Sequence, residues 1–261
     1  MTLPIINILE QIIRKATVFL LRDFSELDVI QNTKCDTRSF VIHSCIQIQK
    51  RIIEGVSKYS QNDIGKLIFY HEQQIQNLPD GKYLLVNLID NLINLEKALP
   101  FFCIEFSLHE IVHQKRNIQC GIQYFPAIGE IYYMDNNEVW VDKFNHQQSN
   151  RFKIRVPNSK TNKSKLLAME FMLADSWHKA IPMKINDTII KSEQIRCFGS
   201  LRYACTLFLT GKLDVIIYDH LAKNYDSDDL IKLIVTRAGG IINKISSNIN
   251  VICAPSIRIS V

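Results

Sequence analysis

A chain of 261 residues is long enough for one large domain or two small ones that share a core. Hydrophobic residues make up 47% and charged residues 22%, a balance that excludes a disordered chain. The formal charge of +5 is mild and excludes the strongly basic profile of a dedicated nucleic-acid binder.

The first segment, "PIINILEQIIRKATVFLLR", repeats apolar residues at helical spacing through Ile6, Leu9, Ile13 and Ala16. It predicts a helix over 4–22. Glu10, Arg14, Lys15 and Arg22 interrupt the apolar run well before the roughly 20 residues a membrane span needs, and no signal-peptide flanks are present. An amphipathic helix packed on its own domain is the expectation, with no membrane association. A second helix fits 39–60, with Cys45, Ile48, Ile52 and Val56 on one face.

Short apolar runs at 66–70 and 83–88 predict strands on either side of the turn "LPDGK". From Phe101 to Val112 the pattern alternates, with Phe102, Ile104, Phe106 and Leu108 on one side, as a half-buried strand requires. "QKRN" (114–117) turns the chain into 118–125, and "EIYYM" and "EVWVDKF" extend the meander. A polar stretch, 155–165, reads as a surface loop. Beyond it the pattern predicts strand 166–172, helix 199–211, strand 212–219, helix 228–240 and a last strand at 250–254. Gly211 and the pair Gly239–Gly240 stand where helix C-caps belong. The chain is mixed α/β.

Seven cysteines, at 35, 45, 103, 120, 197, 205 and 253, form no C-x-x-C pair and lie largely in apolar runs. They read as reduced core residues of a cytoplasmic protein.

"HEIVH" at 109–113 matches the H-E-x-x-H zinc pattern. That chemistry needs a helix, where residues i and i+4 lie about 6 Å apart on one face. Here the five residues continue an alternating strand, which sets His109 and His113 roughly 13 Å apart. One zinc, with ligands at about 2 Å, cannot join them. Surface histidines at a hairpin end are the expectation.

Several pieces, taken in order, resemble the inositol monophosphatase family, including its bacterial extragenic-suppressor branch. "NLIDNLINLEKALPFFCIEFSL" keeps the frame of the hallmark D-P-[IL]-D-G-T-T-N-F without a gap. Asn87 stands at the first Asp, Asp90 at the second, Asn94 at the Asn, and Pro100 at the following Pro. "IRCFGSLRYACTLFLTGKLDVII" resembles the family's R-x-x-G-S run and retains Arg196, Gly199, Ser200, Gly211 and Asp214, and "IVTRAGGII" resembles its A-G-G segment. The likeness covers nearly the whole chain.

The resemblance implies a single domain over 1–261, in halves 1–150 and 151–261. It implies a layered αβαβα sandwich like the inositol monophosphatase and fructose-bisphosphatase fold, often homodimeric. The family hydrolyses small phosphate monoesters with Mg²⁺, whose bound water is the nucleophile. Carried over residue by residue, the metal positions become Asp90, the Ile89 carbonyl, Asn87, Glu72 and Asp226. The water-orienting pair becomes Leu92 and Cys45, and the threonine that precedes the latter's counterpart becomes Ile42. Backbone N–H groups of Asn91 and Leu92 would cradle phosphate. At the family's Glu-Glu pair the register admits Tyr70–His71 or His71–Glu72. At its Trp-Asp it admits Asn224–Tyr225, Asp226–Ser227 or, with a slip, Tyr225–Asp226.

Two readings follow. One is an impaired or inactive family member kept as a binding or regulatory protein; by resemblance alone its partner would be a transcription complex or RNA, with Mg²⁺ weakly held or absent. The other is a residual Mg²⁺-dependent phosphatase acting on inositol phosphate or another small monoester through Asp90, Glu72 and Asp226. Asp90 alternatively serves as a cap or hydrogen-bonding residue at a short helix. Asp226, Asp228 and Asp229 fit the acidic first turn of a helix. The basic residues Arg151, Lys153, Arg155, Lys160, Lys163 and Lys165 fit either a solvated loop or a phosphate or RNA contact.

Overall fold

Two long helices open the chain, α1 (Pro4–Gln31) and α2 (Thr37–Val56). The computed structural model describes residues 4–31, 36–70, 78–135, 138–145, 148–157, 166–170, 192–219, 228–246 and 249–257. These divide into two units, Met1–Phe152 and Lys153–Val261.

Helix α1 runs nine residues beyond the expected end at Arg22, because Arg22 and Glu26 face outward while Asp23 is buried against α2. Arg22 pairs with Asp23 and Glu26, while Leu27 one turn on is buried. The Ser44 hydroxyl donates to Asp23 Oδ2 at 2.6 Å and ties the two helices. Asp36 caps α2 by accepting from the N–H groups of Arg38 and Ser39. Ser57 closes α2 earlier than expected, and Ser60 caps a single turn, α3 (Gln61–Ile64).

In the first unit seven strands lie in sequence order: β1 (Lys66–Phe69), β2 (Gly81–Asn87), β3 (Ile104–Val112), β4 (Lys115–Phe125), β5 (Glu130–Asp135), β6 (Glu138–Asn145) and β7 (Gln148–Lys153). β1 and β2 are parallel, and β2 through β6 form an antiparallel meander. Between β2 and β3 sits a short helix, α4 (Leu92–Glu96). One face of the sheet joins α1 and α2 in a single core that includes Ile13, Leu20, Ile48, Ile52, Leu84, Val86, Phe102, Phe106 and Ile122. Each such side chain contributes about 1.5–3 kcal/mol by burial, so the sheet specifies where both helices lie.

The opposite face of β3 corrects the sequence reading. It is buried as well, and polar: Glu105, Ser107 and His109 have almost no exposure. His109 is therefore an interior residue, its Nε2 2.8 Å from the Ser107 hydroxyl, and only His113 is at the surface. The extended backbone does separate the two histidines, as the strand reading required. The turn comes earlier than expected, at His113 and Gln114, whose N–H groups donate to Asp80 at 2.8 and 3.1 Å.

In the second unit five strands are ordered β11 (Ile241–Lys244), β12 (Ile249–Cys253), β10 (Val215–Asp219), β8 (Leu166–Glu170) and β9 (Gln194–Arg196). β8, β9 and β10 are parallel, and β12 runs against β10 and β11. Two helices accompany them, α5 (Leu201–Leu209) and α6 (Asp228–Arg237). Gly211 (φ +73°) and Gly239 (φ +93°) end these helices in the left-handed region, as their positions predicted. A Cβ on Gly240 would lie 2.9 Å from Phe208 Cε1, so that glycine lets the end of α6 approach α5.

The basic segment is not uniformly a loop. Arg151 lies in β7, 3.2 Å from Glu10 and 3.5 Å from Asp142, with its guanidinium over the Tyr133 ring. Lys160, Lys163 and Lys165 lie outside the described residues. The described cysteines are all free; Cys103, Cys120, Cys205 and Cys253 are buried as expected, but Cys197 is exposed. Among the described residues no helix is long and apolar enough to cross a membrane.

Candidate functional site

Strand β2 ends at Asn87, and the chain then passes through Leu88, Ile89, Asp90 and Asn91 before α4 begins at Leu92. This connection is held by its own side chains. The Cys103 N–H donates to Asp90 Oδ1 at 2.7 Å, and the Asp90 N–H donates back to the Cys103 carbonyl at 3.1 Å. Asn91 caps α4, its side-chain oxygen accepting from the Asn94 N–H at 2.9 Å. Asn94 is buried, and its amide donates to the Phe101 carbonyl at 2.7 Å. These bonds pin both ends of the segment between β2 and β3.

Asp90 thus has a bonding duty of its own, and the cap belongs to its neighbour Asn91. Asn87 faces the same side of the sheet as Glu105, its direct cross-strand partner. Glu105 is fully buried and accepts from the Gln123 amide at 2.7 Å. Sequence reading missed Glu105, because a lone charge in an alternating strand reads as solvent-facing.

The positions expected to orient a water hold no suitable group. Leu92 and Cys45 both pack against the core shared by α1, α2 and the first sheet. Burial pushes the Cys45 thiol up to about 11, so it stays protonated at neutral pH. Ile42, one turn before Cys45 on α2, is exposed. One of the N–H groups available at the start of α4, that of Asn94, is already taken by Asn91.

His71, Glu72, Asn224, Tyr225, Asp226 and Ser227 lie outside the described residues. Asp228 and Asp229 occupy the first turn of α6, where the helix dipole favours negative charge, and Asp229 also pairs with Lys232 at 3.3 Å. In the second unit Ser200 caps α5 by accepting from the Tyr203 N–H, and Asp214 accepts from the Leu166 N–H at 2.9 Å. Gly199 has φ +72° just before that cap. Arg196 is exposed and bonds within its own strand, to Gln194 and the Ile195 carbonyl. The retained motif residues of this unit therefore fix turns and caps.

A site for Mg²⁺ in the manner of the resemblance would need several carboxylates, since this ion binds through hard oxygen ligands in near-octahedral geometry. Among the described residues of the hallmark there is one carboxylate, Asp90, with the Asn87 amide and the Ile89 carbonyl. Among the described residues no three His, Cys, Asp or Glu side chains gather so that they could hold a metal ion. Two of the expected donors, Glu72 and Asp226, lie outside the described residues, and Asp90, the Asn87 amide and the Ile89 carbonyl by themselves are too few for two or three ions.

No family model matches the chain. It is 22% identical over 245 residues to the Nus factor SuhB of Buchnera aphidicola, covering 93% of this chain and 86% of that protein. Among solved structures it superposes on the extragenic suppressor protein SuhB from Bartonella henselae with a TM-score of 0.66, at 18% identity. That match covers 97% of this chain and 94% of the other. Inositol monophosphatase-II from Staphylococcus aureus matches with a TM-score of 0.64 at 11% identity, over 97% and 91% of the two chains. The fold is that of the inositol monophosphatases. Two mixed sheets with their helices are consistent with the layered αβαβα sandwich of the inositol monophosphatase fold. These solved structures, at 18% and 11% identity to the chain, show the fold.

Proposed function

We propose that this is an inositol-monophosphatase-like protein whose phosphatase chemistry is impaired or lost and which persists as a binding or regulatory protein. The observation that carries this reading is the pair Leu92 and Cys45. Where the fold's chemistry calls for a hydroxyl and a carboxylate around a water, the chain has a leucine and a neutral thiol, both packed on the apolar core. Neither can accept a proton from water at neutral pH. Asn87 adds to this, since an amide offers an oxygen but no charge to a cation.

The Buchnera relative carries the name Nus factor. By the same reading, this chain is a homodimeric, cytoplasmic partner of a transcription complex or RNA, folded as one domain over 1–261. Mg²⁺ is then at most weakly held. The test is calorimetric titration of the full chain with Mg²⁺ and with inositol phosphate, alongside phosphate release by the wild type and by Asp90→Asn. Silence in both assays is the expected result. Mg²⁺-dependent release that disappears in Asp90→Asn would overturn the proposal in favour of a residual phosphatase.

A further inference from the structure

A cleft of about 210 Å³ lies between α1 and α2, on an exposed side of the first unit. Its floor is made by Ile12 and Gly55. A Cβ on Gly55 would come within 2.9 Å of Ile12 Cγ2, so the missing side chain is what lets the two helices close together there. Glycine inside a helix costs about 1 kcal/mol relative to alanine, and close packing is the physical reason to keep it. Longer side chains line the rest of the cleft.

The walls are cationic. Lys15 comes from α1, Arg51 from α2, and Lys58 from the turn after it, while Glu54 is the acidic residue among the lining groups. Three cations against one carboxylate leave a formal excess of two positive charges. Among the described residues none of the three cations has a carboxylate within ion-pairing distance, whereas Arg14, Arg22 and Arg151 on the same unit all do. Arg51 is also held in place: its guanidinium lies 4.0 Å from the centre of the Phe19 ring. Stacking on a ring leaves the in-plane N–H groups of a guanidinium free, and those groups match the spacing of phosphate oxygens.

We propose that this cleft binds a small oligophosphate anion. The charge excess calls for a multiply charged ligand, and the fixed guanidinium calls for tetrahedral oxyanion chemistry. The volume is below the roughly 300–1,000 Å³ of pockets that hold drug-sized ligands, which selects a compact anion over a nucleoside or a cofactor. The site is formed by α1 and α2 and does not involve residues 87–94, so it is independent of the proposed loss of phosphatase chemistry.

The experiment is calorimetric titration of the full chain with pyrophosphate in EDTA at moderate salt. The expected result is saturable binding that weakens about tenfold or more in Arg51→Gln and in Lys58→Gln, since loss of a hydrogen bond to a charged group is worth about 1.5–3 kcal/mol. It should strengthen in Glu54→Gln and stay unchanged in Lys66→Gln, which removes one exposed charge elsewhere on the unit. Lys58 is exposed on a turn, so its variant tests the site without disturbing the core. Absence of saturable binding in the wild type, or an equal loss in Lys66→Gln, would overturn the proposal.

Discussion

Asn87 and Glu105 are direct cross-strand partners on one face of the first sheet, and Glu105 is completely buried. Side chains so placed have Cβ atoms about 4.5–5.5 Å apart, and like charges there are destabilising. The amide at position 87 therefore suits a face that already carries a buried carboxylate. Asn87→Asp should lower stability, and Asn87→Asp with Glu105→Gln should recover part of the loss. A double-mutant cycle by urea unfolding is expected to give a coupling within about 0.5–3 kcal/mol. Additivity of the two substitutions would show that the residues do not sense each other.

Asp90 closes the segment between β2 and β3 by exchanging two hydrogen bonds with Cys103. Asp90→Ala removes a charged acceptor and leaves the Cys103 N–H unanswered, a loss of about 1.5–3 kcal/mol. Asp90→Asn keeps an oxygen in place and should cost clearly less. Unfolding midpoints of the two variants check this. Equal destabilisation would mean that the charge, and not the bond, matters at position 90.

Burial raises Cys45 to about 11, Cys253 to about 11 and Cys120 to about 12, and it also raises Cys197. A buried thiol keeps its proton in the folded state after the unfolded chain has lost its own. The folded state then binds more protons, so stability falls as pH rises. The loss begins near the unfolded value, about 9, and continues to about 11–12. The thermal midpoint is expected to drop more steeply between pH 9 and 11 for the wild type than for Cys120→Ala. At pH 8, iodoacetamide should label exposed Cys197 well before Cys45.

The regular elements were legible where one face is apolar and the other wet. Periodicity found α1, α2, α5, α6 and most strands, and Gly211 and Gly239 marked helix ends because a left-handed residue was required there. Three kinds of feature escaped. Short elements such as α4, β9 and β11 carry too few residues to show a period. The tail of α1 was hidden because Arg22, Asp23 and Glu26 look like a helix end, whereas Arg22 and Glu26 pair on the outside and Asp23 turns inward to Ser44. Glu105, Ser107 and His109 alternate with apolar residues like a solvent-facing edge, yet they are interior and bonded in pairs, Glu105 to Gln123 and Ser107 to His109. Of the candidate site, the frame from Asn87 to Pro100 was legible only as a resemblance, and the bonds of Asn91 and Asn94 that hold the segment left no sign in the sequence. The partner that explains Asn87 could not be read, because it comes from a strand eighteen residues later.

On the proposed function, Asp90, the Asn87 amide and the Ile89 carbonyl do not hold magnesium. The most direct measurement is anomalous diffraction from crystals of the full chain soaked in Mn²⁺, a stand-in for Mg²⁺ that prefers the same oxygen ligands. No ordered cation is expected at Asp90 or the Ile89 carbonyl. Two well-ordered ions there, with Asp90 as a ligand, would contradict that function.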